Sequence, residues 1–175
     1  ALIVASEHNS LYSSDGDEKS GHLWGDGAAA FVIGNTPGKL QLQILDTHTV
    51  GLADCGRGPF GITMVPRDGG LVMHYGKDIF MHAVREMAAM ARRLIERNKL
   101  TVGDIRMVVP HQANKRIMDR VVEDLGMSPQ RVALTIGELG NTGCASVGIT
   151  LHRYLHRLEP GEYALLVAFG GGYSA

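Results

Sequence analysis

The sequence predicts an α/β fold on three observations. Short apolar runs alternate with stretches of helical periodicity, glycines cluster between those runs, and the last run leads into a glycine triplet. The chain has 175 residues, 45% of them hydrophobic and 20% charged, which is enough for one core and one domain. Glycine stands out at 23 residues, roughly twice average usage. Such clusters suit tight turns and places where backbone approaches a ligand or another strand. Lysine plus arginine (17) nearly balances aspartate plus glutamate (18) for a net charge of -1. That balance argues against nucleic-acid binding by bulk charge and against a polybasic membrane anchor. No apolar run approaches the roughly 18 residues of a membrane-spanning helix, and the opening residues lack signal-peptide features. Cys55 and Cys144 form neither a disulfide framework nor zinc-type spacing, so a reducing cytoplasm is expected.

The elements follow in order. Leu2 to Ser6 is a short apolar run ended by polar residues, and predicts a buried strand. Residues 7–21, rich in Ser, Asp and Gly, predict a loop. Ala28 to Ile33 lies between Gly25-Asp26-Gly27 and Gly34-Asn35 and predicts a second strand. Leu40, Leu42 and Ile44 alternate with Gln41 and Gln43, so a half-exposed strand is expected within 40–50. Residues 51–70, with many glycines and Pro59 and Pro66, predict an irregular surface excursion. Ile79, Phe80, Ala83, Val84, Met87, Ala91 and Leu94 recur at three- and four-residue spacing and predict the longest helix. Ile105 to Val109 predicts a strand stopped by Pro110. Ile117, Val121 and Leu125 mark one face of a second helix ended by Gly126. Val147, Leu151, Tyr154, Leu155 and Leu158 mark a third, stopped by Pro160-Gly161, and Tyr163 to Phe169 predicts a last strand. This alternation predicts an α/β domain with mostly buried strands.

In an open α/β sheet, ligands sit at the carboxyl ends of strands. Three polar segments occupy such places: Pro110 to Arg116, Gly140 to Ser146, and Phe169 to Tyr173. His111 in "PHQANKRI", Asn141 in "GNTGCAS", the terminal "AFGGGY" and Gly25 to Ala28 in "WGDGAAAFVIG" resemble the C-terminal half of β-ketoacyl-acyl-carrier-protein synthase III, of the thiolase superfamily. The resemblance covers essentially all 175 residues. It implies the C-terminal half of the αβαβα layered thiolase fold, with a mixed sheet and packed helices. Residues 1–175 would then form one C-terminal domain, with the start inside an apolar run and the end at Ala175 expected of trimmed boundaries.

The resemblance also implies a reaction. An acyl thioester condenses with malonyl-acyl-carrier protein as carbon dioxide leaves, and negative charge develops on the thioester oxygen. By resemblance His111 and Asn141 supply the two N–H donors for that oxygen; read without the family, His111 would cap a helix and Asn141 fill a turn. Gly76, Phe80, Asn114, Phe169, Gly170 and Gly171 match positions that line or support the acyl-thioester tunnel. Arg116, with Lys115 and Arg120 beside it, would receive the acidic carrier protein. The family's other basic carrier contact falls at Met81, a departure from the pattern. The third catalytic group of the family is a nucleophilic cysteine in the N-terminal half, for which no segment of this chain matches. Cys55 in "DCGRGPFG" and Cys144 read as inert thiols.

The implied partners are acyl carrier protein, acyl-coenzyme A or acyl-carrier protein as primer, malonyl-carrier protein, and the N-terminal half, in a homodimer when complete. No cofactor is implied, since the substrates carry their own phosphopantetheine. His152 and His156 stand at i,i+4 but lack an acidic or cysteine partner, so no metal site is expected. The glycine clusters lack the lysine and Ser/Thr of a phosphate loop. Three readings remain open: a fatty-acid condensing enzyme that is inactive as this chain alone, a relative in secondary metabolism, and a non-catalytic subunit.

Overall fold

The computed structural model describes residues 1–36, 38, 42–65 and 70–175. At its centre, strands β5 (Ile105–Pro110) and β6 (Tyr163–Val167) run parallel, with Ile105 opposite Tyr163 and Pro110 opposite Val167. A register shift between Ile105 and Met107 divides the apolar side chains of β5 between its two faces. Ile105 and Val108 face one cluster with helices α1 (Gly76–Arg97) and α2 (Lys115–Asp124), while Met107 and Val109 join Leu151 of α4 (Ser146–Tyr154) on the other side. The result is a helix–sheet–helix sandwich, as expected of a parallel pair whose apolar side chains are divided between both faces.

Helix α1 buries Ile79, Ala83, Val84, Met87, Ala88, Ala91 and Ile95. The predicted stripe was right in phase, but its centre lies toward Ala88 and Ile95, leaving Phe80 and Leu94 half-buried. Helix α2 buries Ile117, Met118, Val121 and Val122 against α1. It is capped by Asn114, whose Oδ1 accepts the Arg116 backbone N–H at 2.9 Å. A single turn, α3 (Ile136–Leu139), precedes the asparagine loop. The third helix is shorter than expected, with Leu155–Arg157 tightening into a 3₁₀ turn.

Strands β1 (Leu2–His8) and β2 (Asp26–Val32) pair antiparallel, Leu2 opposite Val32 and His8 opposite Asp26. β1 therefore runs two residues beyond the predicted strand and takes in Glu7. One face of this pair, with Gly27, Ala29 and Phe31, packs on α4. The other is uncovered, and Leu2, Val4 and Val32 are exposed, so the expectation of buried strands fails for this pair. The physical reason is layering: α4 supplies a cover for one side only. A short antiparallel pair, β3 (Thr63–Val65) with β4 (Gly70–Val72), lies in the excursion.

Among the described residues the strands are both parallel and antiparallel and form three two-stranded pairs, with one parallel bridge from Val108 to Val132 beside β5. One further expectation is corrected. The strand expected within 40–50 is not formed over 42–50, where Leu42, Ile44 and Leu45 are exposed; Leu40 and Gln41 lie outside the described residues. In place of a ladder, this segment is held by side chains, with Asp46 accepting from Arg97 and from Asn98 Nδ2 at 2.8 Å at the end of α1. Alternation alone does not supply a neighbouring strand, and a strand without one leaves its backbone unpaired.

Candidate active site

The parallel pair β5/β6 brings the ends of both strands to one edge, and His111 is the first residue beyond β5. Its backbone N–H donates to the Val167 carbonyl at 2.8 Å. Gln112, fully buried, holds the turn from within. Its Nε2 donates to the carbonyls of Pro110 (2.8 Å) and Ala133 (3.2 Å), while Oε1 accepts from the N–H groups of Thr135 (2.8 Å) and Ile136 (3.1 Å). Ser146, buried at the first position of α4, approaches His111 Nδ1 with its Oγ at 2.7 Å and accepts the Gln112 N–H at 3.3 Å. The Ser146 hydroxyl accepts from Gln112 and still has its proton to give to Nδ1; in the tautomer with that bond, the ring proton sits on Nε2, the nitrogen away from Ser146.

Burial lowers the His111 pKa from 6.5 to about 4, against a smaller upward pull from Glu7. The imidazole is therefore neutral at pH 7, a donor at one nitrogen and an acceptor at the other. A stability prediction follows with a definite sign. Unfolded His111 takes up its proton near 6.5 whereas the folded ring resists until about 4, so between these values the unfolded chain binds more protons. Acidification across that window is expected to remove about 2–4 kcal/mol of stability. Denaturant titrations at successive pH values check it, with His111→Gln expected to flatten that part of the profile. An equal slope in both proteins would contradict it.

Asn141 is positioned by its backbone. Its N–H donates to Leu23 (2.7 Å), and its carbonyl accepts from Gly25 (3.0 Å) and from Asn9 Nδ2 (3.2 Å). The side-chain Oδ1 accepts the Gly143 N–H at 3.0 Å, which orients the amide and leaves Nδ2 as its donor end. Gly143 has φ +51°, and a Cβ there would collide with Glu7. The Glu7 Oε1 accepts the Cys144 N–H at 2.9 Å, so β1 supports the loop that carries Asn141. The His111 and Asn141 segments are thus tied together through Ser146 and the short turn 141–146.

The other candidates are placed as follows. Phe169 is buried and stacks on Tyr173 with ring centroids 4.9 Å apart; Gly170 pairs with Ser174, and Gly171 is exposed. Gly76 opens α1 toward empty space. Phe80 lines a groove of about 330 Å³ between α1 and α2, with Met81, Val84, Arg85 and Arg120. Asn114 spends its Oδ1 on the α2 cap. Of the basic residues, Lys115 pairs with Asp119 at 2.7 Å and Arg120 with Glu123 at 3.0 Å. Arg116 makes no ion pair among the described residues and is exposed. Cys144 is exposed, and its hydrogen bond to Glu7 raises the thiol pKa, which keeps it protonated. Cys55 is half-buried. Among the described residues no three His, Cys, Asp or Glu side chains gather as a metal site, and no helix is long and apolar enough to cross a membrane.

Sequence reasoning missed Glu7, Gln112 and Ser146. Gln112 and Ser146 sat inside the quoted segments, where a polar residue next to a candidate donor is the available signal. Glu7 had none, because its partner lies at the far end of the chain.

Residues 95–175 match the family model described as "3-Oxoacyl-[acyl-carrier-protein (ACP)] synthase III C terminal". A β-ketoacyl-[acyl-carrier-protein] synthase III from Chlamydia caviae is 37% identical over 184 aligned positions, covering 99% of this chain and 55% of the relative. Over its whole length the chain resembles the C-terminal half of these synthase III enzymes. The synthase III of Nitratidesulfovibrio vulgaris is likewise 37% identical, with 99% and 55% covered. The chain therefore spans about half the length of the curated relatives it matches. In fold it resembles the crystal structure of the synthase III from Pseudomonas aeruginosa, with a TM-score of 0.88 at 30% identity over 99% of this chain and 55% of that one. The priming β-ketosynthase of a polyketide biosynthetic pathway gives a TM-score of 0.80 at 34% identity, over 99% and 54%. The architecture is accordingly that of a thiolase-like synthase III half, with helices on both faces of the β5/β6 pair.

Proposed function

We propose that this chain supplies the C-terminal half of a condensing acyltransferase, working with an N-terminal half that carries the nucleophilic cysteine. The observation that carries the reading is a neutral His111 held by Ser146 at Nδ1, with that serine closing the short turn that carries Asn141, whose amide oxygen is already occupied. Both side chains are left with an N–H to give. As a malonyl thioester loses carbon dioxide, the electrons of the broken C–C bond move into an enolate. Its oxygen accepts hydrogen bonds from His111 Nε2 and Asn141 Nδ2. The enolate carbon then attacks the acyl group held on the cysteine of the other half; a C–C bond forms and the thiolate leaves. Donors fixed before the charge develops lower the barrier without reorganising.

Carrier recognition is assigned to Arg116, the one of the three predicted basic residues whose charge is not met by an acid among the described residues. Lys115 and Arg120, neutralised along α2, contribute less. The uncovered face of β1/β2, with Leu2, Val4 and Val32, is read as the surface on which the N-terminal half rests.

The test is release of carbon dioxide from a malonyl thioester. The chain joined to an N-terminal half is expected to release it, and the isolated 175-residue chain is expected not to. Turnover by the isolated chain would overturn the half-site reading, and silence of the joined enzyme would overturn the condensation reading. The 34% identity to a priming β-ketosynthase supports a second assignment, to starter-unit condensation in secondary metabolism. A panel of acyl primers of different length and branching separates the two.

A further inference from the structure

Away from His111 and Asn141, Asp78 in the first turn of α1 is a part-buried carboxylate on which distant segments meet. Its Oδ2 accepts the Tyr173 hydroxyl at 2.9 Å and the Arg57 backbone N–H at 2.9 Å, and Oδ1 lies 3.6 Å from His82 Nε2. Three segments distant in sequence converge on this carboxylate: the excursion 51–61, the start of α1, and the glycine loop after β6. Tyr173 is only 2% exposed, and its ring lies between Phe169 and His82, at centroid distances of 4.9 and 5.9 Å. The space for it is built by glycine. A Cβ at Gly61 would collide with the Tyr173 hydroxyl, and one at Gly56, where φ is +53°, would collide with His82 and Asp78.

The loop it anchors has little else to hold it. Gly170, Gly171 and Gly172 have no side chains to pack, and Gly171 faces open space. Its fixed points are the backbone pairing of Gly170 with Ser174, the pairing of residues 173 and 175 with 50 and 52, and the Tyr173 ring. A run of glycines fixed only at its ends loses more backbone freedom on ordering than any other sequence. A charge-assisted O–H to carboxylate bond, part-buried as this one is, is the kind of contact that offsets that loss.

We propose that Asp78 is a positioning residue for the glycine loop: by clasping Tyr173 it fixes Phe169, Gly170 and Gly171 against the start of α1, and so sets the passage that admits the acyl thioester. The second half of this statement rests on the condensation reading above; the clasp itself does not. Tyr173→Phe keeps the ring and removes the hydroxyl, and Asp78→Asn weakens the same bond from the other side.

Hydrogen exchange on the chain reads the clasp directly. Both variants are expected to accelerate exchange of amides 170–174 by about tenfold, the loss of a hydrogen bond to a charged group, while amides 83–95 of α1 keep their parent rates. In the joined enzyme, Tyr173→Phe is expected to weaken binding of hexanoyl-coenzyme A about tenfold, with the loss in turnover falling on KM rather than kcat. Unchanged exchange at 170–174, or acceleration spread equally through α1, would overturn the clasp. Unchanged hexanoyl-coenzyme A affinity would overturn its role in admitting the acyl chain, as would a parent enzyme that does not bind this probe. A joined enzyme that binds hexanoyl-coenzyme A but releases no carbon dioxide would remove the condensation reading and leave the clasp to be decided by exchange and binding.

Discussion

In the joined enzyme, His111→Ala and Asn141→Ala are each expected to slow carbon dioxide release from a malonyl thioester about 100- to 1000-fold, or ~2.7–4 kcal/mol. Each removes one of two N–H groups assigned to a single oxygen. The double variant should lose less than the product of the two single effects, because a lone remaining donor already leaves the oxygen half-solvated. Acylation of the partner half's cysteine should survive both changes, since neither residue is assigned to that step. Full-rate decarboxylation in both variants would remove these roles. So would losses that multiply, which would mean that the two donors act on different atoms.

The largest effect on stability is expected from Gln112→Leu. The leucine is close in volume, so the change acts on hydrogen bonding more than packing. It unpairs the carbonyls of Pro110 and Ala133 and the N–H groups of Thr135 and Ile136. Each buried group left without a partner costs about 1–3 kcal/mol. With some relaxation at the site edge, a total near 4 kcal/mol is expected, seen as a fall in Tm of about 10 °C for a chain of this size. Gln112→Glu keeps the acceptor for Thr135 and Ile136 but turns a carboxylate oxygen toward the carbonyls of Pro110 and Ala133, so it is expected to destabilise as well. A loss below about 1 kcal/mol for Gln112→Leu would mean that the staple is not needed to hold the turn.

Much of the fold was legible because burial leaves a period in the sequence. The stripe from Ile79 to Leu94 located α1, and the runs at 105–109 and 163–169 located the central pair. Where the period had no structural partner it misled. Leu42 and Ile44 alternate with polar residues, yet that segment is fastened by Asp46 to Arg97 and Asn98 rather than by a ladder. The uncovered face of β1/β2 was unreadable for a related reason: apolar side chains announce that something covers them, not whether that cover is in the same chain.

The candidate site divides along the same line. His111 and Asn141 came from resemblance; their local pattern alone fits a cap and a turn equally well. What the structure adds is the set of groups that orient them. Ser146 fixes a ring nitrogen, the Gly143 N–H fixes an amide, and Glu7 supports the loop from the other end of the chain. Such roles depend on contacts between residues far apart, and one sequence does not record them. The same holds for the carrier patch, where three basic residues look alike until Asp119, Glu123 and Asp124 take the charge of two.

The hydrogen bond from His111 N–H to the Val167 carbonyl has a kinetic meaning. It spans the parallel pair β5/β6, whose strands are separated in sequence by α2, α3 and α4. Parallel pairing across so long a connection must close a large loop before its contacts repay the entropy, so it belongs late in folding. Helices α1 and α2, local and amphipathic, can form and dock while this closure is pending. The imidazole would thus reach its final place only with the last strand, and a chain stalled before that point would have helical content without an assembled donor wall. Far-ultraviolet signal recovering ahead of the burial of His111 is the order this topology dictates.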